Sequence, residues 1–458
     1  MNASWQQVAN VRELKAKGSL LVRVSGKQIA LFDTPKGVRA CNNRCPHEGY
    51  PLKEGSLDGS CVLTCNWHNW KFDLDSGANL YGGDRLRVYP VEVRDEDIWV
   101  DIQELPVEVR QAEVHRNLCD AFADNAYDRI AREIGRLGLL GTHVNEAVRL
   151  GVQWSFEHME FGWTHAFAAA ADWLAVRDAM AGDEDAELVC AVEAMAHMAD
   201  DVLREPKYPY PVDEKPYDEE AFVAAVECED EVQGIALIRG AMSAGLGFAG
   251  VERGLTRAAL AHYQGFGHAL IYVPKAGALI ERLGEDMAEP LLVCLVRRFV
   301  YSQRDDLIPE FRGYQQALGR WGQSDNPGEL DWRRLRETGI ARSFEAVSAS
   351  GDQPTENIYE ALLAANAAHL VGFDLDQQAR LDGSISDNVT WLDVTHGITF
   401  ANAVRTQCMK FPELWPSGLL QMACFSGRNK GFTLDGAGFE KMLDRWRVTD
   451  PARFFEQS

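Results

Sequence analysis

The chain has 458 residues, 46% hydrophobic and 25% charged, with 39 Gly, 17 Pro and 10 Cys. That composition excludes disorder, collagen and low-complexity fibre, and the length suggests more than one domain. The formal charge of −23, from 46 Lys+Arg against 69 Asp+Glu, opposes phosphate backbones and anionic lipid, so neither nucleic acid nor membrane is an expected partner.

Met1 to Ala16 carries polar and charged residues with no apolar run, so it does not read as a signal peptide. Residues 1–102 read as β structure. Runs such as Ser19–Val24 and Gln28–Phe32 are punctuated by Ser25-Gly26, Asp58-Gly59, Ser76-Gly77 and Gly82-Gly83. Val88–Arg94 and Asp97–Ile102 suggest a closing hairpin around Asp95-Glu96. After Leu105 the pattern becomes helical, in stretches near 106–137, 142–181, 183–204, 217–245, 251–270, 276–322, 331–349, 354–370 and 387–410. The expected fold class is therefore α+β multidomain: a small all-β domain over 1–104, then a large all-α domain over 105–458. No window reaches the roughly 18 apolar residues of a membrane span. Leu292–Val300 is apolar but short, and it carries Arg297 and Arg298. Ten cysteines without an export signal suit a reducing, cytoplasmic setting. The six scattered ones (Cys119, Cys190, Cys228, Cys294, Cys408, Cys424) read as buried core residues.

Four cysteines cluster between 41 and 65. Cys45-Pro46-His47 is followed, after seventeen residues, by Cys65-Asn66-Trp67-His68. Two thiolates and two imidazoles in two short loops suit zinc or iron. Zinc sites more often pair ligands of one kind, whereas here each loop offers one Cys and one His. The C-x-H…C-x₂-H pattern resembles that of Rieske [2Fe–2S] domains of the oxygenase and ferredoxin type. The resemblance implies that Cys45 and Cys65 hold one iron of the cluster while His47 and His68 hold the other. High-potential members of that superfamily carry an extra cysteine in each loop, at positions that correspond here to Tyr50 and Trp67, so the bridging disulfide cannot form. A potential at the low end of the roughly −150 to +300 mV imidazole-ligated range is expected. Cys41 and Cys61 read as core or edge thiols.

A Rieske module moves single electrons and does no bond chemistry, so the helical half is expected to hold the catalytic site. The ring-hydroxylating Rieske non-haem iron oxygenases are one alternative. Resemblance to them would imply an antiparallel sheet and a D-x₂-H-x₄₋₅-H ligand run, and neither is found here. Three stretches, His262-Tyr-Gln-Gly-Phe-Gly-His-Ala-Leu-Ile-Tyr272, Thr395-His-Gly-Ile-Thr-Phe-Ala-Asn-Ala-Val-Arg405 and Glu157-His-Met-Glu-Phe-Gly-Trp-Thr-His-Ala-Phe167, resemble questin-oxidase-like proteins. The resemblance implies a helical monooxygenase that uses O₂ to open a bulky cyclic or aromatic, quinone- or polyketide-like substrate. His268, His396, His262, His158 and His165 are the candidate catalytic residues. Asp393 with His396 (i, i+3) and Glu193 with His197 (i, i+4) form a candidate second, non-haem iron site, since bundles build such sites from carboxylate–imidazole pairs. The ordinary alternative for each is a core histidine or a solvated surface pair. Gly245-Leu-Gly-Phe-Ala-Gly250 matches a dinucleotide fingerprint by letters but lies among helices, so electrons are expected from a separate reductase or ferredoxin. A non-catalytic electron-transfer or redox-sensing protein is the alternative from another class, and a homo-oligomer is compatible with the sequence. Residues 1–102 carry 13 Lys+Arg and 13 Asp+Glu, so the whole −23 lies in the remainder, as 33 against 56.

Overall fold

Before residue 102 the alternating segments form eleven strands and one helix in the computed structural model, which describes residues 4–323, 330–380, 388–434, 436–445 and 447. The strands are β1 (Trp5–Asn10), β2 (Ser19–Val24), β3 (Lys27–Thr34), β4 (Gly37–Asn42), β5 (Ser56–Leu57), β6 (Val62–Thr64), β7 (Lys71–Asp73), β8 (Asn79–Tyr81), β9 (Val88–Tyr89), β10 (Val91–Arg94) and β11 (Asp97–Asp101). Helix α1 (Val11–Lys17) sits between the first two. Three antiparallel sheets result, in the orders β1-β11-β10, β2-β3-β4-β9 and β5-β6-β7-β8. The expected closing hairpin is present: Arg94 pairs with Asp97 across Asp95 and Glu96, whose φ values of 49° and 68° give the left-handed two-residue turn that suits twisted strands. Ala30, Phe32, Cys41, Leu63 and Phe72 form a core shared by two of the sheets. Cys41 and Cys61 are fully buried.

Helices α2 (Val107–Ala123) and α3 (Tyr127–Leu139) replace the single stretch expected over 106–137; the chain reverses at Asn125, whose φ is 48°. The first compact unit extends through them to Thr142, past residue 104. What ties α3 to the β-domain is Asp84, in the loop after β8 and 1% exposed. Its carboxylate receives Arg129 Nε and Arg132 Nη2, each at 3.2 Å, with Arg136 Nη1 at 3.6 Å.

The second unit is helical: α4 (Asn145–Ser155), α5 (His165–Ala179), α6 (Glu184–Asp201), α7 (Glu219–Glu227), α8 (Glu231–Ser243), α9 (Gly247–Leu260), α10 (His268–Leu283) and α11 (Ala288–Val300). It continues through α12 (Tyr314–Leu318), α13 (Trp332–Arg336), α14 (Ile340–Ala349), α15 (Thr355–Val371), α16 (Leu375–Gln378), α17 (Trp391–Lys410), α18 (Trp415–Asn429) and α19 (Gly436–Arg445). No strand-built sheet occurs among its described residues, which sets aside the ring-hydroxylating alternative. None of its described helices is long and apolar enough to cross a membrane. The helical stretches expected over 142–181 and 251–270 are each interrupted. Gly162 (φ 77°) packs against the backbone of Cys294 and Arg298, where a Cβ would lie 2.4 Å from the Arg298 nitrogen. Gly265, Phe266 and Gly267 form a left-handed run with φ of 51°, 47° and 78°. Gly245 and Gly247 turn the chain from α8 into α9, a helix-to-helix junction with no strand before it. Cys190, Cys294, Cys408 and Cys424 are buried as expected, but Cys119 and Cys228 are exposed.

One buried histidine belongs to this core alone. His369 on α15 is fully buried, with Nδ1 3.2 Å from Thr433 Oγ1 and Nε2 unpartnered among the described residues. Burial, reinforced by the Arg336 charge, pushes it from 6.5 down to about 3.

Two predictions follow from these buried polar groups. Asp84→Ala leaves three guanidinium groups facing an empty site; it is expected to destabilise the first unit by about 3 kcal/mol in chemical denaturation, the arginines' partial exposure limiting the loss. The folded state keeps His369 neutral while the unfolded chain takes up a proton below about pH 6.5, so stability falls as pH drops from there toward 3. His369→Leu is expected to flatten this slope by about 1.4 kcal/mol per pH unit between about pH 6 and 4, measured by urea titrations.

Candidate functional site

The two ligand loops of the β-domain are built on one plan. Loop Cys45–Tyr50 follows β4, and loop Cys65–Trp70 joins β6 to β7. In the first, Cys45 N–H donates to the Tyr50 carbonyl (2.9 Å) and Gly49 N–H to the Cys45 carbonyl (2.8 Å). In the second, Cys65 N–H donates to the Trp70 carbonyl (2.8 Å) and Asn69 N–H to the Cys65 carbonyl (2.9 Å). The fifth residue of each loop is left-handed, Gly49 at φ 76° and Asn69 at φ 62°. These paired turns aim four side chains at one place. Cys45 and Cys65 are 4% and 1% exposed and lie in the same buried cluster. The Nδ1 atoms of His47 and His68 lie 3.1 Å apart. Burial pushes the Cys45 thiol up to about 11, against the pull of the His47 and Glu48 amides, so only a strongly positive centre makes it a thiolate.

Two buried sulfurs facing two imidazole nitrogens fit a [2Fe–2S] cluster of mixed ligation, which supplies one-electron transfer when bound. Indoles brace the imidazoles: Trp70 stacks on His47 (4.6 Å, 17°), and Trp67 lies parallel to His68 at 5.8 Å. At the two positions where the high-potential type would carry its disulfide, Tyr50 and Trp67 meet edge to face at 4.9 Å.

In the helical unit, three histidines converge. His268 Nε2 lies 2.9 Å from His165 Nε2 and 3.0 Å from His396 Nε2. Two of them occupy the start of a helix, where the chain has just changed direction: His165 is the first residue of α5, capped by the Thr164 hydroxyl, and His268 is the first of α10. His396 sits in the second turn of α17. Nδ1 of His268 donates to the Gly265 carbonyl (2.5 Å) and Nδ1 of His396 to the Leu392 carbonyl (2.8 Å). A carbonyl can only accept, so both rings carry a proton on Nδ1 and turn Nε2 toward the other. Main-chain anchoring of the distal nitrogen is the usual outer shell of a metal-binding histidine. Burial first, and the neighbouring histidines and Arg298 besides, drive His268 down to about 3; burial likewise lowers His165.

The turn that presents His268 has its own support. Asp305, fully buried, accepts the Phe266 N–H at 2.7 Å, and Arg428 lies over the Phe266 ring at 4.9 Å. Gly267 is obligatory, because a Cβ there would come within 2.5 Å of the Phe400 ring. Tyr272 faces His268 and His165 at ring distances of 5.6 and 6.4 Å, backed by Trp163.

The other candidates lie elsewhere. His262 is held between Glu227 (2.5 Å) and Asp306 (3.1 Å), with Arg304 alongside, in an ionic network of its own. His158 is in a 3₁₀ turn and bonds the Glu205 carbonyl. Asp393 closes the capping box of α17 with Thr390 instead of joining His396. His197 faces Glu193 at 4.0 Å along α6, and neither is among the groups that gather ligand atoms. Arg298, Asp305 and Tyr272 were given no role by the sequence; the signals were the charged pair Arg297-Arg298 in an apolar run and the place of Tyr272 at the end of a quoted motif.

The β-domain with its two cysteine–histidine loops defines a Rieske-type iron–sulfur module. Residues 4–88 match the model of the Rieske [2Fe-2S] domain. The chain is 36% identical over 78 residues to the 3-phenylpropionate/cinnamic acid dioxygenase ferredoxin subunit of Shigella boydii, covering 17% of this chain and 74% of that one. It is 34% identical over 108 residues to the 4beta-methylsterol monooxygenase of Methylococcus capsulatus, covering 21% of this chain but 29% of that protein. Among solved structures, the ferredoxin of carbazole 1,9a-dioxygenase from Nocardioides aromaticivorans is similar at 26% identity, over 22% of this chain and 100% of that one, with a TM-score of 0.21. By its N-terminal domain the chain belongs to the Rieske [2Fe–2S] family.

With aromatic rings at the disulfide positions, the cluster is expected to titrate below 0 mV, toward the low end of the roughly −150 to +300 mV range. Protein-film voltammetry measures it, and a midpoint well above zero would contradict the assignment.

Proposed function

We propose that the protein is a Rieske-dependent monooxygenase in which Cys45, His47, Cys65 and His68 hold the electron-transferring cluster and His165, His268 and His396 hold an oxygen-activating iron. The observation that carries this reading is the approach of three imidazole Nε2 atoms, His268 lying 2.9 Å from His165 and 3.0 Å from His396, a set of ligand atoms that one cation can take. Iron held by these three imidazoles would supply the redox chemistry that O₂ activation needs. The Gly265 and Leu392 carbonyls fix the orientation of two ligands, and burial lowers the basicity of His268 and His165.

Tyr272 and Trp163 back the histidines from the buried side, and Phe161 with Tyr301, half-exposed and 5.8 Å apart edge to face, come shortly before His165 and shortly after Arg298 in the chain. These features support a bulky cyclic or aromatic substrate, in line with the questin-oxidase-like motifs. A separate reductase or ferredoxin would reduce the cluster, and cytoplasmic placement goes with that supply. Relatives named as monooxygenase and dioxygenase components support the oxygenase class. A non-catalytic electron carrier would have no use for a second ligand set, so the scaffold alternative is less favoured.

The test is metal content with EPR on the full chain. Wild type is expected to hold the two irons of the cluster and about one more. His268→Ala and His396→Ala should lose the additional metal and substrate-dependent O₂ uptake while the cluster signal stays intact. Two irons in wild type, unchanged in both variants, would overturn the second centre.

A further inference from the structure

Adjacent arginines on α11 have opposite fates. Arg297, 4% exposed, spends its donors on Glu231 (2.7 Å) and on the carbonyls of Tyr208 and Pro209, with its guanidinium over the Tyr210 ring. Arg298 makes no ion pair within 4 Å among the described residues, and its buried Nε has no hydrogen-bond partner there. Yet it stands close to two of the histidines, His165 and His268. Its Nη2 lies 3.5 Å from where a Cβ on Gly265 would be, and Gly265 is the residue whose carbonyl orients His268. Its charge acts on His165, His268 and Tyr272 together.

The charge balance around this point is unusual. Three imidazoles contribute no negative charge to a bound divalent cation. Helices α5 and α10 begin at the site and turn their positive ends toward it. Asp201 acts on His165 but already accepts the Thr164 hydroxyl. Asp305 accepts the Phe266 N–H through Oδ2 and shares the field of Arg298 with Arg428, yet among the described residues its Oδ1 makes no hydrogen bond and it forms no ion pair with Arg298 within 4 Å. A cation with an unused donor beside a metal of like charge is costly unless an anion comes between them. A guanidinium is suited to a planar oxyanion, which it grips with two donors at once.

We propose that Arg298 anchors an anionic oxygen of the substrate at the three-histidine centre, so that the substrate is an aromatic carboxylate or phenolate and not a neutral ring. This rests on the metal-centre reading for where the substrate sits, though the anchor itself can be tested apart from it. The accessible rings of Phe161 and Tyr301 take the ring and Arg298 takes the charge, which sets the orientation of the ring against the histidines. Arg298 is a specificity-determining residue and takes no part in electron or proton transfer.

The experiment is calorimetric titration of the full-length, metal-loaded protein with benzoate, benzamide and inorganic phosphate, alongside metal analysis of each sample. Wild type is expected to bind benzoate roughly tenfold or more tighter than isosteric benzamide, as a charge-assisted contact implies. Arg298→Met should abolish that preference without changing metal content or the cluster spectrum, and Arg298→Lys should keep part of it. Equal binding of benzoate and benzamide by wild type, or an undiminished preference in Arg298→Met, overturns the proposal. Phosphate binding as tightly as benzoate overturns the aromatic part. An Arg298-dependent preference in a protein holding only the two cluster irons supports the anchor while removing the metal centre, so the two readings fail separately.

Discussion

Everything in the helical unit that bears on chemistry depends on one constraint: the Nε2 atoms of His165 and His396 are both brought within 3.0 Å of that of His268. The main chain enforces this. Carbonyls of Gly265 and Leu392 take the Nδ1 protons of His268 and His396 and so turn both Nε2 atoms inward, and burial lowers the basicity of His268. Such an arrangement suits a ligand set. The left-handed turn at 265–267, the buried Asp305 beneath it and the glycine demanded by Phe400 all serve to hold His268 in that position.

The cluster loops solve a similar problem by a different route. There the two turns repeat each other bond for bond, and each closes on its own cysteine. The β-sheets fix where the loops begin, and the indoles of Trp67 and Trp70 fix the imidazole planes. The glycine at 82 is part of this support, since a Cβ there would come within 2.4 Å of the Trp70 ring.

The cluster domain was legible in the sequence because its ligands are local: the spacing Cys45-Pro46-His47 and Cys65-Asn66-Trp67-His68 sits within two loops, and the hairpin at Asp95-Glu96 is a two-residue signal. The second site was legible only in part. His165, His268 and His396 stand in the quoted motifs, but periodicity extrapolated an unbroken helix over 142–181, where the turn at Gly162 stands between α4 and α5. On an unbroken helix His158 and His165 share a face; the turn at Gly162 removes one and installs the other at a helix start. The carboxylate partners failed for another reason. Asp393 and Glu193 sit at helix-neighbour spacings, and local capping or surface pairing claims such groups before distant ligands can. Arg298 was visible as an odd charge in an apolar helix, but only tertiary placement separates it from Arg297.

The histidine spacing also bears on chain topology. His165 and His268 are 103 residues apart, and His268 and His396 are 128 apart. A cation gripping all three is a cross-link that closes two loops of that size at a single point, joining α5, α10 and α17. Loop closure costs entropy that grows slowly with length, and a ligand bound only by the folded form holds those loops shut by mass action. Chelation should then act on more than the reaction centre: it would release three helices at once, making proteolysis of the helical unit a function of free metal concentration.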